Sequence, residues 1–118
     1  MADEHTRLGS IALAPRAVAT IASEIALQSY GVVGMAPKNF ADGLANLLAK
    51  DPRHGVEIHV HDEGLAIELY VVIEYGSPIA AVAENLTKAV RFQVERILGV
   101  QVTSIHIHVQ ALHMSPGP

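Results

Sequence analysis

The chain has 118 residues, 50% of them apolar and 17% charged, with 12 acidic against 8 basic side chains and a formal charge of -4. That length suits one domain around a single core, which at this size buries roughly two-thirds of the surface the unfolded chain exposes. The absence of cysteine excludes a disulfide scaffold and any thiolate ligand or nucleophile, and the acidic balance argues against general attraction to phosphate backbones or anionic lipid.

Residues 1–7 carry two acids, a histidine and an arginine with no apolar stretch behind them, and read as a disordered tail without a secretory signal. No window approaches the roughly 18 uninterrupted apolar residues of a membrane span, so a cytoplasmic protein is expected. Residues 10–14 read as a short strand. Pro15 then opens a helix whose apolar stripe is Val18, Ile21, Ala22 and Ile25 and which ends at Gly31. Ala17, Ala19, Ala22 and Ala26 favour the helix and allow close approach to a neighbour. Residues 31–35, Gly-Val-Val-Gly-Met, read as an apolar link. Asn39 caps a short helix bearing Phe40, Leu44, Leu47 and Leu48, Asp51-Pro52 closes it, and Arg53-His54-Gly55 makes an exposed turn.

From Val56 the period becomes two: Val56, Ile58 and Val60 point inward while Glu57, His59 and His61 point out. Asp62-Glu63-Gly64 forms a tight turn. A longer strand follows with Leu65, Ile67, Leu69, Val71 and Ile73 inward, and the two strands form a hairpin. Ser77-Pro78 reads as a capped start for a helix buried along Ile79, Val82, Ala83, Leu86, Val90, Gln93 and Ile97, with Gly99 as its stop. Glu84 with Lys88 and Arg91 with Glu95 are opposite charges one helical turn apart. The last strand, residues 102–111, puts Ile105, Ile107 and Val109 inward and Ser104, His106, His108 and Gln110 outward. A strand, about twenty helical residues and a strand make a crossover unit, so this strand is expected parallel to the one at 65–75. The fold expected is α+β: two layers, a mixed sheet of three to four strands with the two longer helices on one face, plus one short helix. A single domain spans 8–112 and residues 113–118 form a flexible tail.

The outward strand positions carry the chemistry. His59, His61, His106 and His108 place four imidazoles on one sheet face, and a zinc or copper site is the sharp reading of them. If a central strand separates the pairs they lie about 10 Å apart, too far for one four-ligand ion, with Glu68 or Tyr70 between them. The blander reading, a polar face tiled by imidazoles, is preferred, and no metal or other cofactor is expected. Protonating all seven histidines would move the formal charge from -4 to +3, so association through this face is open to pH dependence. No nucleophile elbow, zincin motif or phosphate loop occurs, and an enzyme is not expected. Gly31-Val32-Val33-Gly34 has the GxxG spacing of a KH nucleotide clamp. Its variable positions are valines and its near cation is Lys38 alone, which disfavours nucleic acid as a partner.

Several stretches together resemble the alkaline shock protein family of bacterial envelope stress response proteins. They are the Ile- and Ala-rich helix at 15–29, Tyr30-Gly-Val-Val-Gly-Met-Ala36, Leu69-Tyr-Val-Val-Ile-Glu-Tyr-Gly76, Val82-Ala-Glu-Asn85 and Ile105-His-Ile-His-Val-Gln110. Lys38-Asn39 and Asp42-Gly-Leu44 look most like its YloU-like branch. The resemblance covers residues 8–112 and implies a small cytoplasmic α+β domain without a known catalytic site, membrane-associated in some members through a separate membrane-anchoring protein. A fatty-acid kinase-related protein is a second implied partner. The paired histidines are outside the recognised pattern. The expectation is a non-enzymatic interaction or scaffold protein, self-associating or binding a protein partner without inserting into a membrane. Its surface would comprise His59, His61, Tyr70, His106 and His108, with Val72 and Leu112 beside them. The alternatives are a KH-like RNA-binding module and a histidine-rich metal-binding module.

Overall fold

A computed structural model describes residues 15–37 and 51–115. In chain order they form helix α1 (Pro15–Gln28), strand β1 (Val32–Met35), a 3-10 turn (Pro52–Gly55), strands β2 (Val56–His61) and β3 (Gly64–Glu74), helix α2 (Ile79–Leu98) and strand β4 (Val102–His113). The strand expected at 10–14, the short helix after Asn39, the tail at 1–7 and residues 116–118 lie outside the described residues. β4 runs through His113, one residue into the stretch assigned to the C-terminal tail.

β3 is the centre of a mixed sheet. β4 lies parallel along one edge, from the Leu65–Val102 pair to the Glu74–His113 pair. The other edge is shared end to end: β2 is antiparallel over 64–69 of β3, and β1 is antiparallel over Val71–Ile73. The hairpin and the parallel crossover therefore form as the periodicity predicts. Residues 31–35 do not form a mere link, because Val32, Gly34 and Met35 pair with Ile73, Val72 and Val71. The valines of this segment have the β-branched shape that fits a pleated surface, and four apolar residues were too few to show a period.

Gly31 has φ +87 and turns α1 into β1; a Cβ there would stand 2.6 Å from Val82 Cγ2, so glycine also lets β1 start against α2. Its carbonyl accepts from the Glu74 amide at 2.9 Å, which commits this backbone to the sheet. A KH clamp presents its GxxG backbone to nucleotide phosphates, and here the same glycines are turn and strand.

The main core joins Val18, Ala22 and Ala26 of α1 and Val82, Leu86, Val90 and Val94 of α2 to the odd-numbered residues 65–73 of β3. In α1 the small side chains Ala19, Ala22, Ser23 and Ala26 are buried and Ile21 and Ile25 only partly, so the stripe is rotated toward the alanines. In α2 the buried positions step by four, 82, 86, 90 and 94, and Leu98 packs against the same core. The stripe predicted through Gln93 and Ile97 is thus corrected: Ile79 and Ile97 stand exposed. Ser77 is not the helix cap. Pro78 occupies that position with no side-chain bond, and the Ser77 amide instead donates to Glu74 O at 3.1 Å. Arg91 Nη1 donates to Val102 O, and Glu95 Oε2 accepts from Val102 N at 2.8 Å, so these charges fasten β4 to α2.

Three further expectations change. Gly55 is buried rather than in an exposed turn, lying where β1 meets β2. Val60 belongs to neither core cluster and is exposed. On β4 a register shift between the pairs Val71–Val109 and Val72–Ala111 leaves Gln110 as an extra residue. Ala111 then joins Val72 and Ala36 in a small second cluster, while Val109 and Leu112 are exposed.

Candidate functional site

The face of the sheet away from the main core is built from alternate residues of three strands. β2 contributes Glu57, His59 and His61, β3 contributes Glu68 and Tyr70, and β4 contributes His106 and His108. Pairing fixes who meets whom: Glu57 is opposite Glu68, and on the other edge Glu68 and Tyr70 stand beside His106 and His108.

Glu68 is the hub. Its Oε1 lies 2.8 Å from His108 Nε2 and its Oε2 lies 3.2 Å from His59 Nε2, so one carboxylate spans the central strand between two imidazoles. The Tyr70 hydroxyl is 3.3 Å from Glu68 Oε1 and 3.4 Å from Glu57 Oε1, with one proton to give. The Tyr70 and His108 rings stack, with centroids 4.4 Å apart and planes 8° off parallel. The His108 bond above all, then those from His59 and Tyr70, hold the Glu68 carboxyl below its usual range against the opposing effect of burial. A carboxylate so held is a hydrogen-bond acceptor and a cation ligand, and a poor general acid near neutral pH.

The four histidines share this face without converging. His59 and His108 flank Glu68, whereas His61 at the hairpin turn and His106 are exposed. Tyr70 is corrected as a surface residue: it is 7% exposed under the His108 ring, and Val72 is 0% exposed. Glu57 is the member that sequence reasoning passed over. Its signal was available, since it precedes His59 on the same outward face.

A smaller copy of the motif sits at the far end of β3. Glu74 takes the Ser115 amide at 3.3 Å and His113 Nδ1 at 3.4 Å, and its carboxyl is likewise lowered, most by Ser115. Beside α1, Asp51 is held at about 2 by the Arg53 side chain, whose Nη2 donates to Asp51 Oδ2 at 2.6 Å. The pair forms one wall of an open cleft of 530 Å³ that also includes Arg16, His54 and Ile58. No helix among the described residues is long and apolar enough to cross a membrane.

These features define a small mixed α+β domain whose surface chemistry is a carboxylate–imidazole cluster carried on a sheet. The chain belongs to the alkaline shock protein 23 family, described as having a cell envelope-related function, which it matches over residues 3–114. It is 34% identical over 113 residues to the uncharacterized protein YloU of Bacillus subtilis, covering 94% of each chain. It is 33% identical over 108 residues to Spy1614 of Streptococcus pyogenes, covering 90% of this chain and 89% of that one. Among solved structures, a double variant of the MamM CTD is similar with a TM-score of 0.50 and 15% identity, over 89% of this chain and 99% of that one. That likeness concerns the fold alone.

Proposed function

We propose that the protein serves the envelope-related function of its family as a non-catalytic interaction module, working through contacts with other proteins. The observation that carries this reading is where its aromatic side chains stand. The chain has three tyrosines, two phenylalanines and no tryptophan. Of these, Tyr30, Tyr75 and Phe92 are 71%, 58% and 60% exposed. Aromatic rings bring the largest apolar area of any side chain and are enriched at protein interfaces, so leaving most of a small supply in water fits surfaces that are covered by a partner. Phe92 borders a shallow groove between α1 and α2 that Ile25, Gln28, Ser29 and Ala89 also line. The admitted partners are a second copy of this chain, a membrane-anchoring protein and a fatty-acid kinase-related protein.

The reading is tested by placing a photo-crosslinking amino acid at Phe92 or Tyr30 in cells, with Glu63, exposed in the turn between β2 and β3, as a control. The expected result is one defined cross-linked species from Phe92 or Tyr30, lost when Phe92→Glu is introduced beside the Tyr30 probe. A chain that sediments as a monomer and cross-links no more from these sites than from Glu63 would remove the proposal.

A further inference from the structure

Glu57 and Glu68 are register partners on β2 and β3, so two carboxylates are held directly opposite each other on the outer face. Like charges in that relation repel, and the sheet holds them together only where something positive or proton-bearing lies between. The Tyr70 hydroxyl, 3.3 Å from Glu68 Oε1 and 3.4 Å from Glu57 Oε1, and one ring nitrogen occupy that place. His59 Nε2 is 3.2 Å from Glu68 Oε2 and 3.8 Å from Glu57 Oε1, and the three ligand atoms lie within 4.8 Å of one another. A single N–H at this nitrogen serves Glu68, and its 3.8 Å separation from Glu57 Oε1 is too long for a hydrogen bond. An ion makes use of all three. Donor atoms about 2.1 Å from a tetrahedral zinc stand roughly 3.4 Å apart, and the two His59 separations bracket that value.

We propose that Glu57, His59 and Glu68 form a site for a divalent transition metal of the zinc class, with His108 as the outer partner that orients the Glu68 carboxylate. One imidazole and two carboxylates satisfy a borderline ion and leave a coordination position for water. The nitrogen ligand disfavours magnesium and calcium, which take oxygen donors. His108, 2.8 Å from the Glu68 oxygen that faces away from His59, supplies the bond that ligating carboxylates commonly receive from a second residue. The ligand set is therefore not the four-histidine surface that the strand pattern suggested. His61 and His106 have no part in it, and two carboxylates take their place.

The test is a zinc titration of the EDTA-treated full chain against a chromophoric zinc indicator near neutral pH. One saturable equivalent is expected, with His59→Ala and Glu68→Gln each weakening binding by at least about ten-fold and His61→Ala changing it by less than about two-fold. Millimolar calcium should not compete. His59 is half-exposed, so its removal leaves the core intact and the far-UV circular dichroism unchanged; if that spectrum is lost, Glu57→Gln reads the same site. The proposal is overturned by the absence of a saturable equivalent at micromolar zinc. It is overturned equally if His61→Ala costs as much as His59→Ala, since binding would then be diffuse over the histidine surface.

Discussion

Replacing Gly55 by alanine tests the sheet arrangement at its most crowded point. A Cβ on Gly55 would lie 2.8 Å from Ala36 O, 2.8 Å from Met35 Cβ and 3.0 Å from Tyr70 O. Ordinary contact is near 3.5 Å, so β1 and β3 must each retreat by roughly 0.5 to 0.7 Å. The oxygens are main-chain atoms, which yield less readily than the end of a flexible side chain. The Tyr70 carbonyl is also the acceptor for the Ala36 amide at 2.9 Å, so the same retreat strains a bond between β1 and β3. Overpacking of this kind costs about 1 to 3 kcal/mol, and weakening the bond adds up to about 1. Lower entropy of the unfolded chain offsets about 0.4 to 1 kcal/mol. The net expectation is a loss of about 2 kcal/mol. The assay is urea unfolding followed by far-UV circular dichroism, since the chain has no tryptophan to report by fluorescence. At an unchanged slope, the midpoint should fall by about 1 M. A midpoint equal to or above that of the unsubstituted protein would refute the shared edge of β3 as the reason for a glycine here.

Two further perturbations follow from the contacts described. Glu95→Ala removes the acceptor of the buried Val102 amide and should destabilise the fold by about 1 to 3 kcal/mol in the same urea assay, whereas Glu84→Ala, whose carboxylate meets Lys88 on the surface, should cost less than about 0.5. For Glu68, whose folded carboxyl titrates below its usual value, the unfolded chain takes up the proton first. Its contribution to stability is present above roughly pH 4.3 and is lost as pH falls through the lower folded value. A carboxyl-carbon NMR titration should place Glu68 below the usual glutamate range, and His108→Ala should move it upward; a Glu68 midpoint unaffected by His108→Ala would refute the assignment of that bond as the main cause.

How far the sequence could be read depended on how many residues each pattern had. β3 offers eleven residues, and its inward side chains Leu65, Ile67, Leu69, Val71 and Ile73 are all buried as predicted. β1 offers four, a run that by itself reads as a link. In α2 the helix itself was plain, but the choice between Gln93 and Val94, or Ile97 and Leu98, is a rotation of one residue. A period near 3.6 drifts over twenty residues, and only the position of the sheet fixes which side of that drift is covered. The same holds for the candidate site. That histidines line one face was legible from alternation, whereas which of them reach Glu68 follows from the offset between strands.

Alternation of apolar and polar side chains and the placing of turn residues determined the α+β class, the hairpin, the parallel crossover and the histidine-bearing face. These are local properties, set by the periods of strand and helix along a few neighbouring residues. Tertiary structure alone decided that β1 and β2 share one edge of β3, that Tyr70 and Val72 are buried, and that His108 reaches Glu68 from the parallel strand β4. Each of those depends on the register of segments distant in the chain, and register is the outcome of packing the whole core at once, which no short window of sequence contains.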